Sequence, residues 1–421
     1  MADRVISRWA ENAAAGDKAD PGLAQELTGY LNLQKPPHDE FNYLMSQVSG
    51  RPYVFSTASD AAAELPVGKM GIVDEDALGV DPLTGLWTFS DVGTDVSAAC
   101  VACDGRYVYV GYEGGSNESK FRLLDRETGV QGGGFDFPNA EDVRSIHSDG
   151  GMVFVAHGDW VSAYNVPANI GDTMLPAVWE FDHGAAVNAV YSDGNRLFMG
   201  GVSSGGVLTR SRVRSTGVSD WDNSDANPGP INALASNGRY VYVCGPGVGV
   251  TLRRLRYDTG VSLHNYDHGA ETYDLALGRE SVFICGADSA GDRVRRLNLA
   301  LVVDWSTSGL GSSIHRSIVY DGDRLWVGGD RVGSRTLVGI DPVLGETDAF
   351  EFDHGASADV QGLATDGFGL FAAIDIDAND DLVHRHSIDT TPRLVRRMAG
   401  TERYGRPYHN ALMIVGADQR I

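Results

Sequence analysis

Short apolar runs recur along this chain, and each follows the same kind of two-residue turn. Typical runs are YVYV at 107–110 and VFIC at 282–285, which are rich in aromatic and β-branched residues. Such runs, bounded by glycine, predict buried β-strands. The turn is Asp-Gly or a relative of it, whose two central positions tolerate positive φ. It stands at residues 104–105, 149–150, 193–194, 237–238, 277–278, 321–322 and 366–367. The spacing of 40 to 45 residues predicts an internal repeat.

Most repeat units carry a second turn, with a glycine near its end and usually an aspartate at its start. This turn stands at residues 125–129, 214–217, 258–260 and 341–345. The strand after it carries an aromatic residue, such as Trp179, Trp221 or Trp305. Four short strands in about 43 residues is the size of one propeller blade. The chain is therefore predicted to be mainly all-β, a β-propeller with a small N-terminal α-helical module.

The number of blades depends on how the ring closes. Seven full units are predicted at 96–139, 140–184, 185–229, 230–269, 270–311, 312–355 and 356–398. Two partial units remain, because residues 77–92 resemble the last two strands of a blade and 411–418 resemble a second strand. A closed ring removes exposed sheet edges. Pairing of 77–95 with 399–421 would give an eight-bladed propeller over 77–421; seven blades, with one partial unit outside the ring, is the alternative.

Polar residues recur five positions before the Asp-Gly turn, near the start of the predicted innermost strands. They are Arg144, Asn188, Asn232, Arg316 and Gln361. We predict that they line one mouth of a central channel; the alternative is that they are ordinary polar residues where a strand begins.

The repeat resembles that of pyrroloquinoline-quinone-type propellers, in which a turn and an apolar strand precede Asp-x-x-Thr-Gly and an aromatic residue. The resemblance covers residues 77 to about 418 and implies the architecture, since a fold does not determine a function. The enzymes of that family carry a pair of adjacent cysteines, and here Cys100 and Cys103 are not adjacent. Neither the enzyme role nor the cofactor is therefore expected.

Composition narrows the classes of partner. The chain has 421 residues and a formal net charge of −23. Without clustered Lys and Arg, neither nucleic acid nor an anionic membrane surface is an expected partner. No apolar run approaches the roughly 18 residues of a spanning helix, so no membrane insertion is expected. Four cysteines make no disulfide framework, which favours synthesis in a reducing cytoplasm.

The first 50 residues do not share the repeat. Phe41, Leu44, Met45 and Val48 fall at i, i+3, i+4 and i+7, which predicts a helix with one apolar face. A helix this short needs a partner surface, either in the same module or on another chain. Residues 51–76 are predicted to form a strand, a short helix and a second strand.

This segment resembles the N-terminal module of bacteriophage tail fibres and related tail proteins. The matching residues are Arg8-Trp9, Asp20-Pro21, Pro36-Pro37 and Phe41-Asn42-Tyr43-Leu44. The resemblance implies docking to the virion tail by residues 1–50 and, commonly, a homotrimer. No long coiled coil or β-helical shaft follows, which weakens the trimer prediction. The predicted docking or oligomer interface comprises Trp9, Pro36, Pro37, Phe41, Asn42, Leu44, Met45 and Val48.

Two sequence motifs are candidates for binding a metal ion or another ligand. Asp-His-Gly occurs at 182–184, 267–269 and 353–355, and we interpret His183, His268 and His354 as residues that lock turns. The alternative is a ring of His–Asp pairs on one face that binds a metal or another ligand. Asp375, Asp377 and Asn379 have the spacing of a calcium loop, but Asp380 and His386 stand where such a loop needs Gly and Glu. A solvated hairpin loop is the preferred interpretation, so calcium is a weak candidate and no other cofactor is expected.

These patterns predict a structural protein of the virion tail, synthesised in the host cytoplasm. It would act as a short tail fibre or receptor-binding protein, whose partners are other tail proteins and a host surface receptor or glycan. Two alternatives are kept. One is a propeller hydrolase or lyase that acts on host surface polysaccharide, and the other is a purely architectural tail adaptor.

Overall fold

The computed structural model describes most of the repeat region and a few strands outside it. The described residues are 53–55, 70–73, 85–90, 96–114, 120–137, 142–172, 176–224, 229–287, 294–307, 315–322, 324–332, 335–355, 358–367, 369–376, 382–388, 393–397, 400–401, 407–408 and 412–414. The chain divides into two compact units. One is Pro82–Ile388, and the other combines Met1–Asp81 with Asp389–Ile421.

Every regular element in the described residues is a β-strand. Before the repeat lie β1 (Tyr53–Phe55), β2 (Met70–Val73) and β3 (Gly85–Ser90). Blade 1 contains β4 (Val96–Cys103), β5 (Tyr107–Gly114), β6 (Lys120–Asp125) and β7 (Gln131–Asp136). Blade 2 contains β8 (Val143–Ser148), β9 (Met152–His157), β10 (Trp160–Asn165) and β11 (Trp179–Asp182). Blade 3 contains β12 (Val187–Ser192), β13 (Arg196–Ser204), β14 (Val207–Val213) and β15 (Ser219–Asn223).

The pattern continues through the second half of the repeat. Blade 4 contains β16 (Ala233–Ser236), β17 (Tyr240–Cys244), β18 (Leu252–Arg256) and β19 (Ser262–Tyr266). Blade 5 contains β20 (Thr272–Leu277), β21 (Ser281–Gly286), β22 (Val294–Asn298) and β23 (Val303–Ser306). Blade 6 contains β24 (His315–Tyr320), β25 (Leu325–Val332), β26 (Arg335–Ile340) and β27 (Thr347–Phe352). Blade 7 contains β28 (Ala358–Thr365), β29 (Gly369–Ile376) and β30 (Leu382–Ser387). The last strands are β31 (Arg393–Arg397), β32 (Gly400–Thr401), β33 (Pro407–Tyr408) and β34 (Leu412–Ile414).

The ring has seven blades and closes through the N-terminal side of the repeat. The first strand of each blade contacts the first strand of the next, and β28 contacts β4, so these strands form the inner wall. Strand β3 pairs antiparallel with β30, with Gly85 opposite His386 and Phe89 opposite Val383. The N-terminal strand thus supplies the outermost strand of blade 7, which completes a four-stranded sheet in the order β28-β29-β30-β3.

The prediction of eight blades closed by pairing of 77–95 with 399–421 is therefore wrong, and the seven-bladed alternative is confirmed. Residues 393–397 are not the fourth strand of blade 7, because β31 pairs with β2 and β34 in another sheet. The physical reason is that the outer edge of β30 is already paired with β3, so the fourth-strand position of blade 7 is filled by the N-terminal strand.

The second unit contains a four-stranded sheet in the order β1-β2-β31-β34. Strands β1 and β2 are parallel, with Tyr53 opposite Gly71, and a parallel pair needs a crossover between its strands. They lie where the strand–helix–strand segment at 51–76 is predicted to have its two strands. The helix of that segment and all of residues 1–50 lie outside the described residues, so the helical module and the boundaries at 50 and 76 stay predictions. No helix in the described part of the chain is long and apolar enough to cross a membrane.

The hydrophobic core lies between blades. The described residues form seven clusters of buried side chains, and each combines residues from two adjacent blades. At the junction of blades 7 and 1, for example, Val108 and Leu124 pack with Phe371 and Val383. Each blade therefore buries its apolar faces only when both neighbours are present.

A tryptophan hydrogen bond joins neighbouring blades at four of the seven junctions between them, on the side of the outer strands. In each, the indole Nε1–H of an outer strand donates to the backbone carbonyl that lies three residues before the turn glycine of the next blade. The pairs are Trp87 with Arg126 (2.9 Å), Trp179 with Arg214 (2.9 Å), Trp221 with Tyr257 (2.9 Å) and Trp305 with Pro342 (3.2 Å). We call this contact the tryptophan clasp.

The clasp also explains the turn glycine. Gly260 has φ of 66°, and a Cβ on it would lie 2.4 Å from Cε3 of Trp221. Gly129, Gly217 and Gly345 lie against Trp87, Trp179 and Trp305 in the same way. The glycine is needed both for its backbone conformation and for the space that the indole ring occupies.

Ionic groups connect blade 7 to blade 1 as well. Arg126 Nε donates to Asp366, and the same guanidinium pairs with Glu127. Arg385 Nη1 donates to Glu127 Oε2 at 2.7 Å. Buried charges that are paired and hydrogen-bonded in this way are costly to break, because removal of one partner leaves the other uncompensated. The junction that joins the two ends of the repeat thus has both a clasp and an ionic network.

The inner wall contains a buried carboxylate that joins blades 5 and 6. Asp274 Oδ2 accepts hydrogen bonds from Ser317 Oγ (3.0 Å) and from the backbone N–H of Ile318 (2.9 Å). Burial raises the pKa of Asp274 from 3.8 to about 6, although these bonds and one from the Leu275 N–H act in the opposite direction. Because the pKa is raised in the folded state, the stability that the protonated form contributes is lost as pH rises through about 6.

Replacement of Gly260 by alanine tests the clasp. We expect Gly260→Ala to destabilise the fold by about 2–4 kcal/mol, since it adds a steric clash with Trp221 to the strain of positive φ. Gly238→Ala is the matched control, because Gly238 has φ of 76° and a Cβ there meets nothing within 4 Å. Thermal unfolding followed by tryptophan fluorescence would compare the two. Equal destabilisation would contradict the role of the clasp.

Replacement of Asp274 by asparagine tests the pH dependence. Between pH 5 and pH 7.5 we expect the unfolding free energy of the unsubstituted chain to fall relative to Asp274→Asn by about 1–2 kcal/mol, because the two proteins differ only in the carboxyl group that titrates at position 274. Chemical denaturation at both pH values measures this difference. A constant difference would mean that Asp274 ionises at its ordinary pKa.

Candidate functional site

The antiparallel order of the strands places the connections of each blade at two ends of the ring. The Asp-Gly turns and the clasp turns lie at one end, which we call the turn face. The connections between second and third strands, and those from each fourth strand to the next blade, lie at the other end, which we call the loop face. Residues 158–159, 205–206 and 245–251 lie there, as do the three Asp-His-Gly motifs.

Four of the five residues predicted to line a channel mouth lie in irregular positions of the inner wall. The pairing of first and second strands shifts register around Arg144, Asn188, Arg316 and Gln361, each of which is left out of the ladder. Such bulges bend a strand and re-aim a side chain. Asn232 comes directly before β16, and its N–H donates to the Cys244 carbonyl at 2.8 Å. All five lie near the loop face, where their first strands begin.

Three of these side chains form a hydrogen-bonded series that passes from blade to blade. Arg144 Nη1 donates to Asn188 Oδ1 at 3.2 Å, and Asn188 Nδ2 donates to the Ile231 carbonyl at 3.1 Å. Asn232 Nδ2 then donates to Glu271 Oε1 at 3.0 Å. Arg316 instead binds Asp330 of its own blade at 2.9 Å. The geometry gives these residues a role in joining blades, and a role in lining a channel mouth stays a prediction.

Two of the Asp-His-Gly histidines contact the following blade. His183 Nε2 lies 3.1 Å from the Val202 carbonyl, while Arg210 Nε donates to His183 Nδ1 at 2.9 Å. Arg295 Nη1 donates to the carbonyl of His268 at 2.9 Å. Burial and the nearby Arg210 and Arg212 lower the pKa of His183. At both junctions an arginine of the next blade's third strand meets the histidine of the motif.

The third motif differs, because it meets two further histidines. His384 and His386 lie on β30 two residues apart, so their side chains share one face of the strand. His354 Nε2 lies 3.0 Å from His386 Nε2. One nitrogen of each of the three rings lies within 4.8 Å of the others. We call His354, His384 and His386 the histidine cluster. Among the described residues, these three side chains are the ones that lie close enough together to hold a metal ion.

The surroundings orient the rings of this cluster. Thr336 Oγ1 contacts His354 Nδ1 at 2.5 Å and the Phe352 carbonyl at 3.3 Å. If the threonine hydroxyl donates to that carbonyl, it accepts from His354 Nδ1–H, which leaves a lone pair on His354 Nε2. The Phe352 ring packs against His354 and His386, with centroids 4.7 Å and 4.5 Å apart.

Burial disfavours the charged form of two histidines of the cluster. It lowers the pKa of His354 to about 2, and the neighbouring His386 and His384 lower it further than Asp353 can raise it. Burial also lowers the pKa of His384. His384 Nδ1 is buried and has no hydrogen-bond partner among the described residues. Neutral imidazoles with free lone pairs are the form in which histidine binds transition metals.

The sequence did not predict this cluster. The calcium-loop pattern places His386 where glutamate is needed, and the Asp-His-Gly pattern groups His354 with His183 and His268 rather than with His384 and His386. The calcium candidate is not brought together by the described residues, since Asp375 lies in β29 while Asp377 and Asn379 lie outside them. The available signal was the alternation His-Arg-His at 384–386 in a predicted strand, which places two imidazoles on one face.

One large aromatic side chain is exposed on the loop face. Trp160 begins β10, lies opposite His157 and Asp182, and is 37% exposed. Among the residues whose exposure the structure describes, it is the one exposed aromatic. Tryptophan at such a position is typical of binding surfaces.

Comparisons with known proteins identify the fold. No protein-family model matches the chain. No curated protein matches it either. Among solved structures, it is similar to the WD40 β-propeller domain of Doa1, with a TM-score of 0.56 and 13% identity over 73% of this chain and 97% of that one. It is also similar to the computationally designed Ika8 protein, with a TM-score of 0.50 and 14% identity over 73% of this chain and 100% of that one. At such identities the likeness shows the fold alone, and the chain contains a seven-bladed, WD40-like β-propeller.

Proposed function

We propose that this chain is a structural protein of a bacteriophage tail, which docks by its N-terminal module and presents the propeller to the host surface as a receptor-binding element. The observation that carries the docking role is the motif set Trp9, Pro36-Pro37 and Phe41–Leu44, which resembles virion-docking modules. The propeller repeat follows this N-terminal segment, so that one chain would join an attachment segment to a ring of blades.

The propeller suits recognition because its rigid ring supports connections from seven blades at one face. Loops held by a rigid scaffold are frequent binding elements. Trp160 supplies an exposed aromatic ring there, which can stack on a sugar or fill an apolar pocket of a receptor. The net charge of −23 agrees with a partner that is neither nucleic acid nor an anionic membrane surface.

A hydrolase or lyase that acts on surface polysaccharide is the second candidate. Such an enzyme needs ionisable or metal-binding side chains that converge at one place, and the histidine cluster is a convergence of this kind. Release of soluble glycan from host envelopes by the purified chain would distinguish this candidate from a binding protein.

Immunogold labelling tests the location. An antibody raised against the full chain is expected to label the tail periphery of intact virions from the lysate in which the chain is produced, because the N-terminal module would hold it there. Antibody absorbed with the purified chain serves as the control. If the protein occurs only free in the lysate, the tail assignment is wrong.

Replacement of Trp160 by alanine tests recognition. We expect Trp160→Ala to weaken binding of the full chain to host cells by a factor of ten or more, the loss typical of a central aromatic contact. Val218→Ala is the control, because Val218 is 60% exposed on the turn face. Flow cytometry with the labelled chain measures both. Strong binding that neither substitution changes would contradict recognition through Trp160, and no binding by any form would favour the architectural adaptor.

A further inference from the structure

We propose that His354, His384 and His386 form a binding site for a divalent transition-metal ion, with Zn²⁺ the preferred ion. The site lies at the junction of blades 6 and 7. His354 follows the last strand of blade 6, and the other two histidines lie on β30 of blade 7. A bound ion would therefore join two blades. The inference does not depend on the proposed tail function.

The distances between the rings are close to those of a zinc site. Three nitrogens at the usual Zn–N distance of about 2.0–2.1 Å in a tetrahedral arrangement lie about 3.3 Å from one another. His354 Nε2 and His386 Nε2 are 3.0 Å apart. The full set lies within 4.8 Å, so the remaining adjustment is a small rotation of side chains. Three protein ligands leave the fourth position for water or an exogenous ligand.

The surrounding contacts resemble those that prepare a metal ligand. A histidine ligand usually donates its second ring N–H to an oxygen, which fixes the tautomer. Thr336 Oγ1 occupies that position beside His354 Nδ1. His386 is fully buried against Phe352, so its ring is held in place. The buried Nδ1 of His384, which lacks a hydrogen-bond partner in the described structure, is a further polar atom that a ligand would satisfy.

Comparison of the junctions explains why this one is different. By strand register, His384 occupies the position of Arg122, Arg210, Arg253 and Arg295 in blades 1, 3, 4 and 5. His386 occupies the position of Arg212, whose guanidinium stacks on Phe181 with 4.3 Å between Cζ and the ring centroid. At the junction of blades 2 and 3 the protein itself thus supplies the cation beside the motif histidine. At the junction of blades 6 and 7 imidazoles replace both arginines, and a metal ion would restore a cation there.

The donor set determines the class of ion. Three imidazole nitrogens suit Zn²⁺, Ni²⁺ or Cu²⁺, whereas Ca²⁺ and Mg²⁺ prefer oxygen ligands. Zn²⁺ has no preferred geometry of its own and accepts the arrangement that the two blades impose. We therefore expect Zn²⁺ and its spectroscopic substitute Co²⁺ to bind, and Ca²⁺ not to compete.

The test is metal binding by the full chain, without a histidine tag, measured by competition with a chromophoric chelator. We expect one equivalent of Zn²⁺ to bind, and Co²⁺ to give the intense visible bands of a tetrahedral site. His384→Arg should weaken binding at least 100-fold. It restores the residue found at this position in four other blades, so the fold is expected to tolerate it. His264→Ala, which removes an exposed histidine of blade 4, should bind as the unsubstituted chain does.

Thermal unfolding supplies an independent measurement. Zn²⁺ should raise the unfolding temperature of the unsubstituted chain and of His264→Ala, and leave that of His384→Arg unchanged, because an ion that binds only the folded state stabilises it. If His384→Arg does not fold, His384→Ala takes its place. Absence of binding by the unsubstituted chain, or equal affinity in the His384 variant, would overturn the proposal.

Discussion

The structure depends on packing between neighbouring blades. Each of the seven core clusters draws side chains from two blades, so a single blade cannot bury its own apolar faces. The tryptophan clasp gives four of these contacts a fixed direction, because the indole N–H reaches one particular carbonyl while its ring covers one particular glycine. An open junction would expose two apolar faces at once, and closure of the ring is therefore the condition on which every other contact depends.

Closure is achieved with strands from distant parts of the sequence. Strand β3 completes the sheet of β28–β30, so the ladder between Gly85–Ser90 and Leu382–Ser387 holds the ring together. The same junction contains the clasp of Trp87 and the ionic contacts of Arg126 and Arg385. These contacts have a physical reason. In blade 7 no short turn connects the third strand to the fourth, so side chains supply the restraint that the backbone gives in other blades.

Much of the fold could be predicted from the sequence, because period, turn chemistry and apolar runs are local signals. The blade count could not be predicted from apolar runs alone, since LVRR at 394–397 has the pattern of a strand wherever it pairs. The count is decided by the pairing of β3 with β30, a contact between distant parts of the sequence that no local pattern specifies. The histidine cluster was harder to predict, because His354 and His384 are 30 residues apart and meet only through the register of two blades. Alignment of third strands would have shown arginine in four blades where blade 7 has histidine.

The histidine cluster lies at a junction whose contacts differ from those of other junctions. The outer strand of blade 6, TDAFEF, contains no tryptophan, so this junction lacks the clasp that four others have. Its apolar cluster, with Trp326 and Leu337 against Leu370 and Ile374, still holds the blades together. The residues beside the motif histidine are thus free to differ from the arginines of other blades without loss of the ring. A repeat protein can in this way place distinct chemistry at one junction, since the six remaining junctions and the shared inner wall maintain the fold.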